Sequence, residues 1–134
     1  MRKITYPNGD CEYRILHNGI SLLHREDGPA IEDVDGNKHW YVYGRCHRID
    51  GPAIELTNSG CKQWLINGKL HRLDGPAIEY VWGAKEWYQN GDLHREDGPA
   101  IECDDGYNQW WINGVNIDTI KNLFRSYIIN TNHI

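Results

Sequence analysis

The chain has 134 residues, of which 25% are charged and 11% aromatic, and its net charge is −5. Six Trp and eight Tyr exclude a disordered chain, and no apolar run reaches the roughly 20 residues of a membrane span. The acidic balance disfavours general binding to nucleic acid, where neutralisation of phosphates dominates.

The first predicted element is a β-hairpin turning at Asn8-Gly9, residue types that tolerate the positive φ of a tight turn. It sets Ile4 opposite Tyr13. From Tyr13 to His24 is eleven residues, four more than in the later equivalents, so an insertion lies within Ile15–Leu23. The nine residues HREDGPAIE follow at 24–32. They return as HRIDGPAIE at 47–55, HRLDGPAIE at 71–79 and HREDGPAIE at 94–102, at offsets of 23, 24 and 23 residues. Only the third position varies. A period in this range marks a repeat array.

Each copy leads through a glycine turn to a tryptophan: Trp40, Trp64, Trp87 and Trp110. A second turn follows at Gly44, Asn67-Gly68, Asn90-Gly91 and Asn113-Gly114. Turns centred near 35–36, 59, 82–83 and 105–106 place Ile31 opposite Trp40, Ile54 opposite Trp64, Ile78 opposite Trp87 and Ile101 opposite Trp110. The expected fold is an all-β repeat array. Five antiparallel hairpins of period 23–24, joined by four signature linkers over residues 4–114, form an elongated twisted sheet. Asp118 then N-caps an amphipathic helix over 118–129, with Ile120, Leu123, Phe124, Tyr127 and Ile128 at three- and four-residue steps. That helix caps the open end of the array. Residues 130–134 form a frayed tail, and 1–134 is one domain.

Strand alternation divides the side chains between two faces. The Ile/Trp pairs with Val42, Ile66, Gln89 and Ile112 make the expected core face. The other face mixes Ala30/Tyr41, Ala53/Leu65, Ala77/Tyr88 and Ala100/Trp111 with Glu32, Glu55, Glu79 and Glu102. Exposed aromatic residues in a row mark an interface. The expected partner surface is therefore Tyr41, Leu65, Tyr88 and Trp111 with Glu55 and Glu79.

The polar signature sets are His24, Arg25 and Asp27; His47, Arg48 and Asp50; His71, Arg72 and Asp74; and His94, Arg95 and Asp97. They read as structural. Arg and Asp two apart can pair and fix a loop, Gly supplies an unusual φ, and Pro starts the next strand. Equivalent residues diverge along an array, whereas zinc needs ligands converging at about 2 Å, so no metal or other cofactor is expected. No nucleophile elbow, P-loop or metalloprotease motif is present, and no catalytic residue is assigned. Cys11, Cys46, Cys61 and Cys103 have irregular spacing and read as reduced thiols of a cytoplasmic protein.

The run Trp-x-x-Asn-Gly-x-x-His-Arg at Trp64–Arg72 and Trp87–Arg95 resembles the core of MORN repeats, 23-residue β-hairpin units. The His-Arg-x-Asp-Gly-Pro-Ala variant is similar to repeats in uncharacterised proteins of tailed bacteriophages and giant viruses. The resemblance spans roughly residues 4–114. It departs at Arg25, Arg48, Arg72 and Arg95, where MORN repeats usually carry Gly. It implies a non-catalytic protein-interaction module, with the departure at the arginines and the lack of an apolar run setting a membrane role aside, and a phage origin would imply a host-directed role, such as inhibiting a defence protein in the host cytoplasm. Two alternatives stand beside it: a protein that sequesters a nucleotide or other small molecule, and an enzyme using the His/Asp row. Homo-oligomerisation is open to the edge of the first hairpin or to the terminal helix.

Overall fold

The computed structural model describes residues 1–120, 122, 123 and 126. Among them the chain is almost wholly β, built from short antiparallel hairpins in an open sheet, with a small helical segment starting at Asp118. An 11-stranded sheet takes its strands nearly in chain order. Arg2–Thr5 pairs with Cys11–His17, which pairs with Ile31–Glu32. The ladder continues through Lys38–His39, Ile54–Glu55, Lys62–Gln63, Ile78–Glu79, Lys85–Glu86 and Ile101–Glu102 to Asn108–Gln109.

Each repeat contributes a second hairpin beside this long ladder. Tyr41–Val42 pairs with Arg45–Cys46, Leu65–Ile66 with Lys69–Leu70, Tyr88–Gln89 with Asp92–Leu93, and Trp111–Ile112 with Val115–Asn116. Their turns are Tyr43-Gly44, Asn67-Gly68, Asn90-Gly91 and Asn113-Gly114. Both residues have positive φ in each, as at Asn67 (50°) and Gly68 (78°), which is the two-residue turn that matches strand twist. A unit therefore holds two hairpins rather than the single one expected. The expected insertion in Ile15–Leu23 is the first of these side hairpins made longer: Arg14↔Leu23, Ile15↔Leu22, Leu16↔Ser21 and His17↔Ile20 all pair.

The expected Ile–Trp register is off by one residue. Ile31 lies opposite His39, Ile54 opposite Gln63, Ile78 opposite Glu86, Ile101 opposite Gln109 and Ile4 opposite Glu12. The cause is the turn. Asp33 N–H donates to Asn37 O, and Gly36 has φ +88°, so three residues close the loop where the expected pairing needs an even count. The loops at Tyr6–Asp10, Tyr80–Ala84 and Cys103–Tyr107 follow the same plan, whereas Leu56 N–H reaches Cys61 O across four residues. That extra residue is why one signature offset is 24 and not 23. The tryptophan instead sits where the strand leaves the long ladder for the side hairpin. Trp40 N–H donates to Ala53 O of the next signature, and Trp40 O accepts from His47 N–H.

Small residues fill the interior. Ala30, Ala53, Ala77 and Ala100 are completely buried, and no large side chain is fully buried among the described residues. Cys46, Ala53 and Leu65 form a buried cluster with Trp40, Tyr41, Ile54 and Leu70 packed on it. The face expected to be mixed and open is thus partly the inside of the molecule. Ile120 and Leu123 of the terminal segment are exposed, so neither caps the array. Phe124, Tyr127, Ile128 and the tail at 130–134 lie outside the described residues.

Candidate interaction site

The signature arginines build the most regular feature of the molecule. Each guanidinium lies over the aromatic ring that precedes it: Arg48 over Trp40 at 3.9 Å, Arg72 over Trp64 at 3.9 Å and Arg95 over Trp87 at 3.8 Å. Arg25 lies over Tyr13 at 4.0 Å, so Tyr13 occupies the Trp place of the first unit. The same guanidinium is fixed at its edges. In the third copy, Arg72 Nε donates to Asp74 Oδ1 at 3.1 Å, and Nη1 donates to Pro76 O at 3.0 Å and to Glu79 Oε1 at 3.1 Å. The copies at Arg25, Arg48 and Arg95 repeat the Asp and Pro bonds. The ion pairs to Glu32, Glu55 and Glu102 measure 3.7, 3.2 and 2.6 Å. Stacking of a guanidinium on an indole contributes about 0.5–2 kcal/mol. The planar fork with its fixed donors makes Lys a poor substitute.

The signature glycine completes the clasp for a reason other than its backbone angle. Gly28, Gly51, Gly75 and Gly98 lack the positive φ that the turn glycines show. A Cβ on any of them would lie 2.8–3.0 Å from the guanidinium carbon of its own Arg. The guanidinium is therefore held between an aromatic ring and a bare Cα, which corrects the expectation that Gly supplies an unusual φ here.

The histidines pin one unit to the next. His24 Nδ1 accepts from Tyr43 N–H, His47 Nδ1 from Asn67 N–H, His71 Nδ1 from Asn90 N–H and His94 Nδ1 from Asn113 N–H, at 2.9–3.1 Å. The donor in each case is the positive-φ residue of the following side-hairpin turn. An accepting Nδ1 carries no proton. His, Arg and Asp are each occupied in these bonds. Among the described residues no group of three or more His, Cys, Asp or Glu converges to hold a metal ion.

Of the expected partner surface, Leu65 is buried in the cluster with Cys46 and Ala53, and Tyr41 packs against it. The strand bend at each Trp explains the inversion: the residue after the bend belongs to the side hairpin, so face alternation counted straight through the Trp fails. Tyr88 and Trp111 are half-buried, and Trp111 Nε1 donates to Gln109 Oε1 at 3.0 Å. Glu55 and Glu79 are arginine partners. Burial raises the pKa of the Tyr41 and Tyr88 hydroxyls and pushes the Cys46 thiol up to about 11. Cys11, Cys46, Cys61 and Cys103 are free thiols.

Sequence reasoning missed the surface between successive signature loops. Three equivalent grooves of about 730, 680 and 630 Å³ run along this edge. Their floors carry Trp40 with Val42, Trp64 with Ile66, and Trp87 with Gln89. Their rims are the signature loops themselves. The third signature residue, the one that varies, stands in solvent in every copy. Ile49 and Leu73 are 85% and 76% exposed, and the side chains of Glu26 and Glu96 are 80% and 83% exposed. The signal available in the sequence was this single varying position inside an otherwise fixed motif.

Comparison with known proteins finds no matching family model, no similar curated protein and no similar solved structure.

Proposed function

We propose that this chain is a non-catalytic interaction module that takes a segment of a partner protein along the signature edge. The carrying observation is the row of three like grooves between successive loops, floored by half-buried tryptophans and rimmed by the exposed third residues. A repeated row suits a ligand that is itself extended. A catalytic centre needs one constellation of reactive groups, and here the His, Arg and Asp side chains are spent on intramolecular bonds. Large exposed aliphatic side chains at Ile49 and Leu73 cost solubility and are the kind of residue an interface covers. Among the described residues no helix is long and apolar enough to cross a membrane. A host-directed role, such as inhibition of a defence protein, is the extension that the repeat resemblance adds.

The test is affinity capture from the extract of the cells in which the protein acts, using the parent chain, Leu73→Glu and Tyr88→Ala. A specific partner retained by the parent and by Tyr88→Ala but lost by Leu73→Glu supports the signature edge. Loss with Tyr88→Ala and retention with Leu73→Glu returns the site to the side-hairpin face.

A further inference from the structure

The signature edge carries a charge order and a spacing that together define the chemistry of what it binds. This inference rests on the reading that the edge is the binding surface.

The arginine charges are sunk and their carboxylate partners are not. The side chains of Arg25, Arg48, Arg72 and Arg95 are 20–22% exposed, against 78–88% for Asp27, Asp50, Asp74 and Asp97. The edge therefore presents an acidic rim to solvent even where each carboxylate is paired. The varying position adds to this unevenly. Read along the chain it is Glu26, Ile49, Leu73 and Glu96: acidic, apolar, apolar, acidic. The groove floors turn polar only at the far end: Val42 and Ile66 underlie the first two grooves and Gln89 the third, beside Glu96.

Two strands of the long ladder separate one signature loop from the next. At the usual inter-strand spacing of roughly 4.8 Å the loops recur about every 10 Å. A polyproline-type chain advances about 3.1 Å per residue with three residues per turn, so three of its residues span one repeat of this protein and every third side chain faces the same way. We propose that the partner segment is a basic-ended peptide of about ten residues in a polyproline-type conformation, lying across the four loops so that every third side chain faces them. It carries Lys or Arg at its first and tenth positions, for Glu26 and Glu96. Its apolar side chains at the fourth and seventh positions meet Ile49 and Leu73. The third signature residue is then the specificity-determining position, and the rest of the motif is the frame that presents it.

The experiment is fluorescence anisotropy with three labelled decapeptides, each neutral and polar at the remaining positions. The first has Arg at positions 1 and 10 and Leu at 4 and 7. The second moves both Leu residues one place along. The third has Glu at both ends. The first should bind at least tenfold more tightly than either of the others. Glu26→Lys combined with Glu96→Lys should reverse the preference between the Arg-ended and Glu-ended peptides, with at most a small fall in melting temperature, since both side chains are exposed and give up only their contacts with His24 Nε2 at 3.7 Å and His94 Nε2 at 3.4 Å. Equal binding of the shifted peptide, no binding of the first, or a preference untouched by the charge reversal overturns the inference. The capture experiment then separates the two failures. If Leu73→Glu still loses the natural partner, the edge stands and only the peptide chemistry is wrong. If Leu73→Glu keeps it, both fall.

Discussion

The two edges of the long ladder are built by opposite rules. At the signature edge His, Arg, Asp, Gly and Pro are the same in every copy, and each repeats one set of bonds. At the opposite edge the hairpin loops share a positive-φ glycine at Gly9, Gly36, Gly60, Gly83 and Gly106, yet no other position is the same in all five. There Val34 N–H donates to Asp10 Oδ1 and Thr57 N–H to Asn37 Oδ1 at equivalent places, while Tyr80 lies 5.0 Å from Trp82, so a bond recurs between some loops without being common to all. The difference teaches that residue repetition follows the stringency of the demand. A short loop needs one permissive glycine and tolerates many partners. A guanidinium gripped on its face by an aromatic ring, at its rim by carboxylate and carbonyl acceptors and behind by a bare Cα admits few other residues.

This contrast can be broken most severely at the aromatic ring. Trp64→Ala removes the platform of Arg72 and the packing of a half-buried ring, and should cost about 3 kcal/mol, at the low end for aromatic truncations because the ring is not fully buried. Trp82→Ala on the opposite edge, where the ring is 59% exposed, should change stability by no more than about 0.5 kcal/mol. Chemical denaturation of both variants checks this, and similar losses would erase the distinction between the edges.

Gly98→Ala sharpens the comparison through its sign. Where backbone angles allow it, Gly→Ala stabilises by about 0.4–1 kcal/mol. Here the new Cβ would lie 2.8 Å from the Arg95 guanidinium carbon, so we expect a destabilisation of about 1–3 kcal/mol. A more stable variant would mean the guanidinium is not gripped. His71→Ala should cost less, about 1 kcal/mol, by leaving Asn90 N–H without its acceptor. Faster amide exchange confined to the Asn90 turn would locate that loss.

The smallest expected effect is on pH dependence. Burial lowers the pKa of His39 from its ordinary 6.5, against a weaker opposing pull from Asp33. Folding thus favours the neutral ring. Its contribution is complete above 6.5 and is lost as pH falls from there through the lower folded value. His39→Gln should flatten the fall in melting temperature over that acid range and leave the profile above pH 7 unaltered.

Much of the architecture was legible because turns and period are local. Asn67-Gly68 and its equivalents announce hairpins, the offsets of 23, 24 and 23 announce an array, and Tyr13 could be placed as the first Trp equivalent by counting from Asn8-Gly9. Register was not legible, since a loop of three residues and a turn of two differ only in how Gly36 is used. Nor was the inward position of Leu65, because the strand leaves one sheet for another at Trp64 and alternation stops being a guide. The stacking of Arg72 on Trp64, eight positions apart, depends on the intervening two-residue turn at Asn67-Gly68 and so escaped any reading of the signature by itself. The varying third position was visible as a pattern, and its exposure gave it meaning.

Two neighbouring residues carry the account's central claim, that the fixed positions hold the fold and the third position is left free for a partner. Arg48 stacks on Trp40 and bonds Asp50, Pro52 and Glu55, while Ile49 beside it is 85% exposed. The decisive measurement is thermal unfolding of Arg48→Ala and Ile49→Ser side by side. We predict that Arg48→Ala loses about 2 kcal/mol or more and Ile49→Ser stays within about 0.5 kcal/mol of the parent. Equal losses, or a stable Arg48→Ala with a destabilised Ile49→Ser, would contradict it.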